Sequence, residues 1–197
     1  MTHRPAPTDV AIHPLIAQRW SPRAYADRPV GRAQVIAMLE AARWAPSAFN
    51  AQPWRFVVFE KAGDAAAFER AFGTLIPFNQ SWNGNAQVLI AVLADTLTPK
   101  GAPNPGASYD AGAAAMALLL QAHAQGLAAH AMSGLDAAAF RKTFAIPARY
   151  DVLSMISVAH HGDAQALPAA LAEREQAPRA RLPLHQIVHF GAWREPV

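Results

Sequence analysis

The sequence predicts one domain of the layered α/β class, in which helices cover a β-sheet. Patterns typical of strands and helices alternate along the chain and do not separate into two halves. Residues 87–94 form a continuous apolar run of strand length, which is typical of a strand buried on both faces. The chain has 197 residues, of which 52% are hydrophobic, and this is enough for one full core. We therefore treat residues 1–197 as a single domain.

The first half of the chain predicts three helices and a strand. Two helical patterns end at a proline, the first near Trp20 and the second before Pro46, because proline disfavours helix at the residue that precedes it. Asp64 is expected to cap the third helix. The predicted elements are helices over residues 9–20, 35–43 and 65–72, and a strand over residues 54–60.

Residues 108–125 form the longest helical pattern, and apolar residues occupy nearly all of its positions. A helix that is apolar on every face is buried, and its many alanines would allow another helix to approach closely. Asp110, Gln121 and His123 interrupt the run too often for a membrane span, which needs about 20 apolar residues. We therefore expect this helix at the interface of a homodimer.

The rest of the chain predicts two strands, a helix and an arm. Residues 162–183 contain three prolines among many alanines and arginines, which predicts a short helix or an extended arm on the surface. Residues 184–193 become apolar again and are expected to dock on the fold. The predicted elements are strands over residues 127–132 and 150–159, and a helix that Asp136 caps and that runs to Phe144.

Composition excludes several classes of function. The net charge is +3, but the basic residues are scattered, so no nucleic acid is expected as a partner. The absence of cysteine excludes disulfides, thiolate nucleophiles and cysteine-ligated metals. The histidines lack metal-ligand spacing, so no metal is expected. The N-terminus has no apolar segment for export, which predicts a cytoplasmic protein without membrane attachment.

The most informative stretch lies at residues 45–56, between a predicted helix and a predicted strand. Two prolines, Pro46 and Pro53, flank the polar residues Ser47, Asn50 and Gln52. The fixed φ angles of the prolines lower the entropy cost of ordering this loop. Such a loop offers the neutral donors and acceptors that the edge of a heteroaromatic ring requires. Alternatively, the same side chains satisfy the backbone of their own turn, and both interpretations can hold together.

A second motif supplies positive charge. Arg19 and Arg23 flank a Ser-Pro break, and their guanidinium groups can close on a phosphate through charge-assisted hydrogen bonds. Alternatively, they are solvated arginines at a helix end, where they would interact favourably with the helix dipole. With both motifs present we favour a phosphate site, and together the motifs predict a site for flavin mononucleotide (FMN).

In these two motifs the chain resembles the FMN-dependent nitroreductases. That family opens with Arg-x-Ser-x-(Arg or Lys) and later has Pro-Ser-x-x-Asn-x-Gln-Pro-Trp before its first strand, and both patterns occur here in the same order. The similarity continues through residues 108–112, residues 126–134 and the tail at residues 189–193. The resemblance implies a mixed sheet completed by the partner's C-terminal arm, in a homodimer with swapped arms.

The resemblance also implies which residues contact the flavin. Backbone N–H groups of residues 131–134 would point at the flavin O4 and N5 atoms, and the environment of N5 sets the redox poise. Asn79 would face the ring, although an ordinary loop asparagine is the alternative. Asp110 would lie near the ribityl chain, although a helix-capping acid is the alternative. The expected cofactor-binding residues are Arg19, Trp20, Ser21, Arg23, Pro46, Ser47, Ala48, Asn50, Gln52, Asn79, Asp110, Ala131, Met132, Ser133, Gly134 and Arg194.

One position departs from the family's pattern. Where many relatives have a basic residue before the tryptophan of the tail, this chain has Ala192. Either Arg194 replaces that residue, or Arg19 and Arg23 bind the phosphate alone.

The function that the resemblance implies is a two-step reduction. NADH or NADPH would reduce the flavin and leave, and an oxidant such as a nitroaromatic, a quinone or an activated alkene would follow. Phe49 and Trp82 are candidates for the lining of the substrate slot. Because the flavin carries the chemistry, we name no catalytic side chain. Two alternatives stay open: other flavin chemistry on the same scaffold, and a flavin-binding or sensing module without turnover.

Overall fold

The computed structural model describes residues 4–193. Within this range the chain forms helices and strands in alternation. The helices are α1 (Pro14–Gln18), α2 (Arg32–Arg43), α3 (Ala65–Phe72), α4 (Pro77–Gln80), α5 (Ala107–Ala124), α6 (Ala137–Thr143) and α7 (Ala169–Gln176). The strands are β1 (Tyr25–Ala26), β2 (Trp54–Glu60), β3 (Val88–Asp95), β4 (Leu127–Met132) and β5 (Tyr150–His161).

Most predicted elements are confirmed. The bounds of α3, β2 and β4 agree with the prediction, and the side chain of Asp64 accepts a hydrogen bond from the Ala67 N–H as the expected cap. Helix α1 is shorter than predicted, because Pro14 occupies its first turn, where the missing N–H and fixed φ of proline are tolerated. The sequence analysis missed α4 and β1, which are too short to produce a periodic pattern.

The sheet has β5 at its centre. Strand β5 pairs with β3, β4 and β1, and β3 pairs in turn with β2. Each of these pairs is antiparallel, so residues 4–193 of one chain do not form the parallel component of the expected mixed sheet. That component would require a strand from another chain.

Strand β3 divides the core into two layers. Its side chains alternate, so Ile90 packs with α2 and α5 on one face, whereas Leu89 packs with α3 and α6 on the other. All eight residues of β3 are buried. This confirms the strand buried on both faces and the layered α/β/α arrangement.

Helix α5 is buried on only one side within a single chain. Ala111, Ala114 and Leu118 are fully buried, but the opposite side of the helix lies at the surface of the chain, where Tyr109 is 84% and Met116 is 39% exposed. Helix α5 packs against α1, α2 and the sheet of its own chain, and these elements cover only one of its sides. No helix in the described part of the chain is long and apolar enough to cross a membrane.

The C-terminal segment differs from the prediction. Residues 184–193 were expected to dock, yet the side chains of Phe190 and Trp193 are 89% and 72% exposed. The segment therefore does not bury its apolar residues against its own chain.

Candidate functional site

Residues 46–52, which we call the polar loop, have a strained backbone. Phe49, Asn50 and Gln52 all have positive φ angles, of 52°, 55° and 47°. A residue other than glycine in this region costs on the order of 1 kcal/mol, because its Cβ crowds the following carbonyl oxygen. Three such residues within four positions are typical of a loop whose shape serves a function.

Asp110 of α5 holds the polar loop in place. Its carboxylate is 5% exposed, and Oδ2 accepts a hydrogen bond of 3.1 Å from the Ala48 N–H. The alternative of a capping acid is wrong, because the N-cap of α5 is Gly106 and makes no side-chain bond. Within the loop, the Ser47 hydroxyl accepts a bond of 3.0 Å from the Gln52 N–H. Ser47 therefore satisfies the backbone of its own turn, as the alternative interpretation predicted. The Phe49 ring of the same loop projects into solvent.

The second part of the site is a group of arginines around Arg19, which we call the basic cleft. Arg19 is half-buried, and its Nη1 lies 3.4 Å from the Ser21 hydroxyl oxygen. Burial lowers the pKa of Arg19, and the positive charges of Arg179 and Arg181 lower it further. Within residues 4–193 no carboxylate forms an ion pair with Arg19. A desolvated cation among other cations is a favourable place for an anion.

Arg179 and Arg181 are the residues that sequence reasoning missed. The Arg179 guanidinium donates to the carbonyl oxygens of Ala17 at 2.6 Å and of Arg19 at 2.9 Å, so it fixes the backbone that carries Arg19. Arg181 donates only to the adjacent Ala180 carbonyl among the described residues, which leaves most of its donors free for a ligand. An available signal was the pair of arginines two residues apart, Arg179 and Arg181, close to Pro183 in a chain with few charged residues.

Arg23 is held differently from Arg19. Its backbone N–H donates to Glu175 Oε1 at 2.8 Å, and its guanidinium carbon lies 5.7 Å from the centre of the Trp82 ring. Its Nε is buried and has no hydrogen-bond partner among the described residues. An unsatisfied buried donor of this kind fits an anion that would be bound beside it.

The residues expected at the flavin ring lie close together. Asn79 is 7% exposed, and its Nδ2 donates to the Gly134 carbonyl oxygen at 2.8 Å. Asn79 is thus more than an ordinary loop asparagine, because it fixes the position of residues 131–134. Ala131 and Ser133 are exposed, whereas the Met132 side chain is buried with its sulfur 3.1 Å from Asn83 Nδ2. Met132 can therefore offer only its backbone to a ligand at the surface.

Two residues that were expected at the site, Trp82 and Trp20, pack against other side chains of the chain. Trp82 is 4% exposed and packs on Tyr25, at 5.8 Å between ring centres, and on His130, at 4.7 Å. The expectation that Trp82 lines a substrate slot is therefore corrected, because its ring fills the core. The Trp20 ring lies beneath Arg4 and borders a cavity of about 270 Å³. Arg194 lies outside the described residues.

One chain does not bring the polar loop and the basic cleft together. Asp110 at the start of α5 contacts the polar loop. At the other end of α5, the positive charge of Arg19 acts on the side chain of His123. The pKa of His123 is lowered first by burial and then by Arg19. At a rise of 1.5 Å per residue, these two positions are about 20 Å apart along the helix.

Gly134→Ala is expected to destabilise the fold by about 1–3 kcal/mol, because a Cβ at this position would overpack the contact of Gly134 with Asn79 and Ile76. It would lie 2.6 Å from both Asn79 Nδ2 and Ile76 Cδ1. Urea unfolding monitored by circular dichroism measures the change. Gly84→Ala is the matched control, since a Cβ at Gly84 meets no atom within 4 Å. Equal stability of the two variants would contradict the close approach.

The described residues contain no group of three or more histidines and carboxylates that could hold a metal ion.

Comparison with known proteins gives consistent matches. The model of the nitroreductase family matches residues 16–160 of this chain. Among curated proteins, an uncharacterised 15.4 kDa protein of Mycolicibacterium smegmatis is 34% identical over 151 residues, which cover 73% of this chain and 99% of that protein.

Solved structures are similar over nearly the whole chain. One is described as an oxidoreductase containing FMN; it is 35% identical, with a TM-score of 0.91 and coverage of 99% of this chain and 100% of that one. A Desulfovibrio desulfuricans protein solved in complex with FMN is 29% identical, with a TM-score of 0.72 and coverage of 93% and 100%. A nitroreductase family protein of Streptococcus pneumoniae, 21% identical with a TM-score of 0.70 and coverage of 89% and 97%, supports the fold alone. These similarities confirm the predicted fold.

Proposed function

The chain belongs to the nitroreductase family, and from this premise we propose that it is an FMN-dependent oxidoreductase. NADH or NADPH would supply the hydride, and nitroaromatics, quinones or activated alkenes would be the oxidants. The observation that carries the proposal is the half-buried Arg19, which has arginine neighbours and no carboxylate partner in the described range. FMN in two of the similar solved structures supports the choice of anion.

The donor set of the basic cleft fits a phosphate monoester. Arg19 and Arg23 would donate from guanidinium groups, and Ser21 would donate from its hydroxyl. Arg181 would supply further positive charge, in a chain that has alanine at position 192 where many relatives have a basic residue. Charge-assisted bonds of this kind are about twice as strong as neutral ones.

The ring and the ribityl chain would be held by neutral groups. Residues 131–134 and Asn79 would contact the ring from one chain, and the polar loop would contact the flavin from the other. When bound, FMN supplies the hydride chemistry, while the chain orients the cofactor and excludes water. We retain as proposed contacts Arg19, Trp20, Ser21, Arg23, Pro46, Ser47, Ala48, Asn50, Gln52, Asn79, Asp110, Ala131, Met132, Ser133, Gly134 and Arg194, and we add Arg181.

We propose a homodimer because the two parts of the site lie at opposite ends of α5. A two-fold axis perpendicular to α5 would place the start of this helix beside the end of its copy. The polar loop of one chain would then reach the basic cleft of the other. Tyr109, Gly112 and Met116 form an exposed stripe along α5 that such a copy would cover. The exposed apolar residues of 184–193 favour an arm that docks on the partner.

Phe49 is the proposed lining residue of the substrate slot. Its ring is fully exposed, and it stands on a residue whose φ angle is positive, at 52°. In the proposed dimer this ring would lie over the partner's flavin site. A flat aromatic wall of this kind favours planar oxidants such as quinones and nitroaromatics.

Ping-pong kinetics are expected, with nicotinamide and oxidant sharing one slot over the flavin. The chain has no Gly-x-Gly-x-x-Gly fingerprint that would provide a separate dinucleotide site. Double-reciprocal plots of rate against quinone at several NADH or NADPH concentrations should give parallel lines, with substrate inhibition at high concentrations. Intersecting lines would contradict the shared slot and would require a second site.

The spectrum of the purified protein tests the proposed function most directly. We expect a yellow protein with about one FMN per chain that is bleached anaerobically by NADH or NADPH. Bound flavin that neither nicotinamide bleaches would favour a binding or sensing module, and bleaching without turnover of nitroaromatics or quinones would favour other flavin chemistry. A cytoplasmic location stays a prediction.

A further inference from the structure

The three segments that would hold FMN in one chain converge on a single buried contact. These segments are residues 19–23, helix α4 and residues 131–134, which follow β4 directly. Trp82 lies in the turn after α4 and packs against His130, the residue before the flavin-ring segment, at 4.7 Å between ring centres. His130 also contacts the first segment, because its Nδ1 lies 3.1 Å from the Pro22 carbonyl oxygen. One pair of rings therefore joins all three segments.

The hydrogen bond from His130 has a defined direction. A carbonyl oxygen can only accept, so Nδ1 carries the proton and donates to Pro22. Burial is the first cause that lowers the pKa of His130, and the charge of Arg23 is the second, so that the pKa falls to about 4. The ring is therefore neutral at pH 7, and it can hold Pro22 without adding a charge next to Arg23.

Trp82 fixes the guanidinium of Arg23 by packing. The Arg23 guanidinium carbon lies 5.7 Å from the centre of the same ring that contacts His130. Trp82 Nε1 and Arg23 Nε are both buried without hydrogen-bond partners among residues 4–193. Because no hydrogen bond sets their positions, the shape of the packed rings sets where the Arg23 side chain lies.

We propose that His130 and Trp82 are positioning residues that set the separation between the phosphate-binding arginines and the ring-binding residues 131–134. This role rests on the FMN binding proposed above. Its consequence concerns the phosphate end of the ligand: loss of the contact would move residues 19–23 while leaving residues 131–134 able to hold a flavin ring. The chain would then lose its preference for FMN over riboflavin, which has the same ring and no phosphate.

The test compares FMN and riboflavin in three proteins: the wild type, His130→Leu and His130→Asn. The asparagine Nδ2 can donate to Pro22 from nearly the same position as His130 Nδ1, whereas leucine has a similar volume and no donor. Each full-length protein is loaded with one flavin and diluted, and the fluorescence of the released flavin gives the dissociation constant. We expect His130→Leu to weaken FMN binding about tenfold and riboflavin binding less than about threefold. His130→Asn is expected to lie between this variant and the wild type, because it keeps the donor to Pro22 and loses the ring that packs on Trp82.

A purely structural role would weaken both flavins alike, so an unchanged FMN-to-riboflavin ratio in His130→Leu would overturn the proposal. If this variant does not fold, nitrogen NMR of the wild type decides. A neutral ring protonated at Nδ1 at pH 7 supports the proposal, whereas protonation at Nε2 or a charged ring overturns it. A wild type without affinity for FMN would overturn the proposed function itself, whereas tight FMN binding with an unchanged ratio overturns only the positioning role.

Discussion

Replacing both Arg19 and Arg23 by alanine is expected to lower the affinity for FMN by about a hundredfold or more. Each charge-assisted hydrogen bond to phosphate contributes about 1.5–3 kcal/mol, which corresponds to at least tenfold for each arginine. Neither guanidinium forms an ion pair with a carboxylate within residues 4–193, so both charges are available to the phosphate. The measurement is the FMN content of the purified protein after dialysis, followed by titration with added FMN.

The matched control for this pair is Arg32→Ala combined with Arg70→Ala. Both residues are exposed, and they border a groove that also contains Glu60 and Asp64, outside the proposed site. The control removes the same net charge, so it separates a local contact from a general electrostatic effect. Full flavin occupancy in the Arg19/Arg23 double variant would contradict the assignment of the phosphate site.

Met116→Glu is expected to convert the proposed dimer into a monomer and to release FMN at the same time. Burial of an unpaired carboxylate costs several kcal/mol, and the two-fold axis would impose this cost twice. Since each site would take its polar loop from one chain and its basic cleft from the other, dissociation would divide both sites. Light scattering gives the mass of the particle, and the absorbance of the same sample gives its flavin content.

Met116 is a better position for this experiment than Leu119. Leu119 packs against the core of its own chain, so a charge there would unfold the chain without testing the interface. Ala66→Glu serves as the control, because Ala66 is an exposed residue of α3 on the opposite layer of the fold. A wild-type protein that is a stable monomer and still holds FMN would contradict both the interface and the shared site.

Local patterns in the sequence were sufficient for most of the fold. The apolar run of β3 predicted a strand buried on both faces, because a strand in a central layer has no polar side. The caps at Asp64 and Asp136 were predicted correctly, because a capping side chain forms its hydrogen bond with the first turn of the helix that directly follows it. The two motifs that we propose to bind FMN were also visible in the sequence, because each is a short stretch of chain.

Tertiary structure decided how those local pieces meet. No periodic pattern indicates that Asp110 bonds the polar loop, that Arg179 holds the backbone of Arg19, or that Trp82 lies in the core. These contacts join residues far apart in the sequence, and their geometry follows from the packing of layers. The separation of the polar loop and the basic cleft by the length of α5 likewise emerges only when the helix has been placed on the sheet. The sequence by itself therefore determined which chemical groups are present, and the packing of α5 determined that one chain holds the polar loop and the basic cleft at opposite ends of this helix.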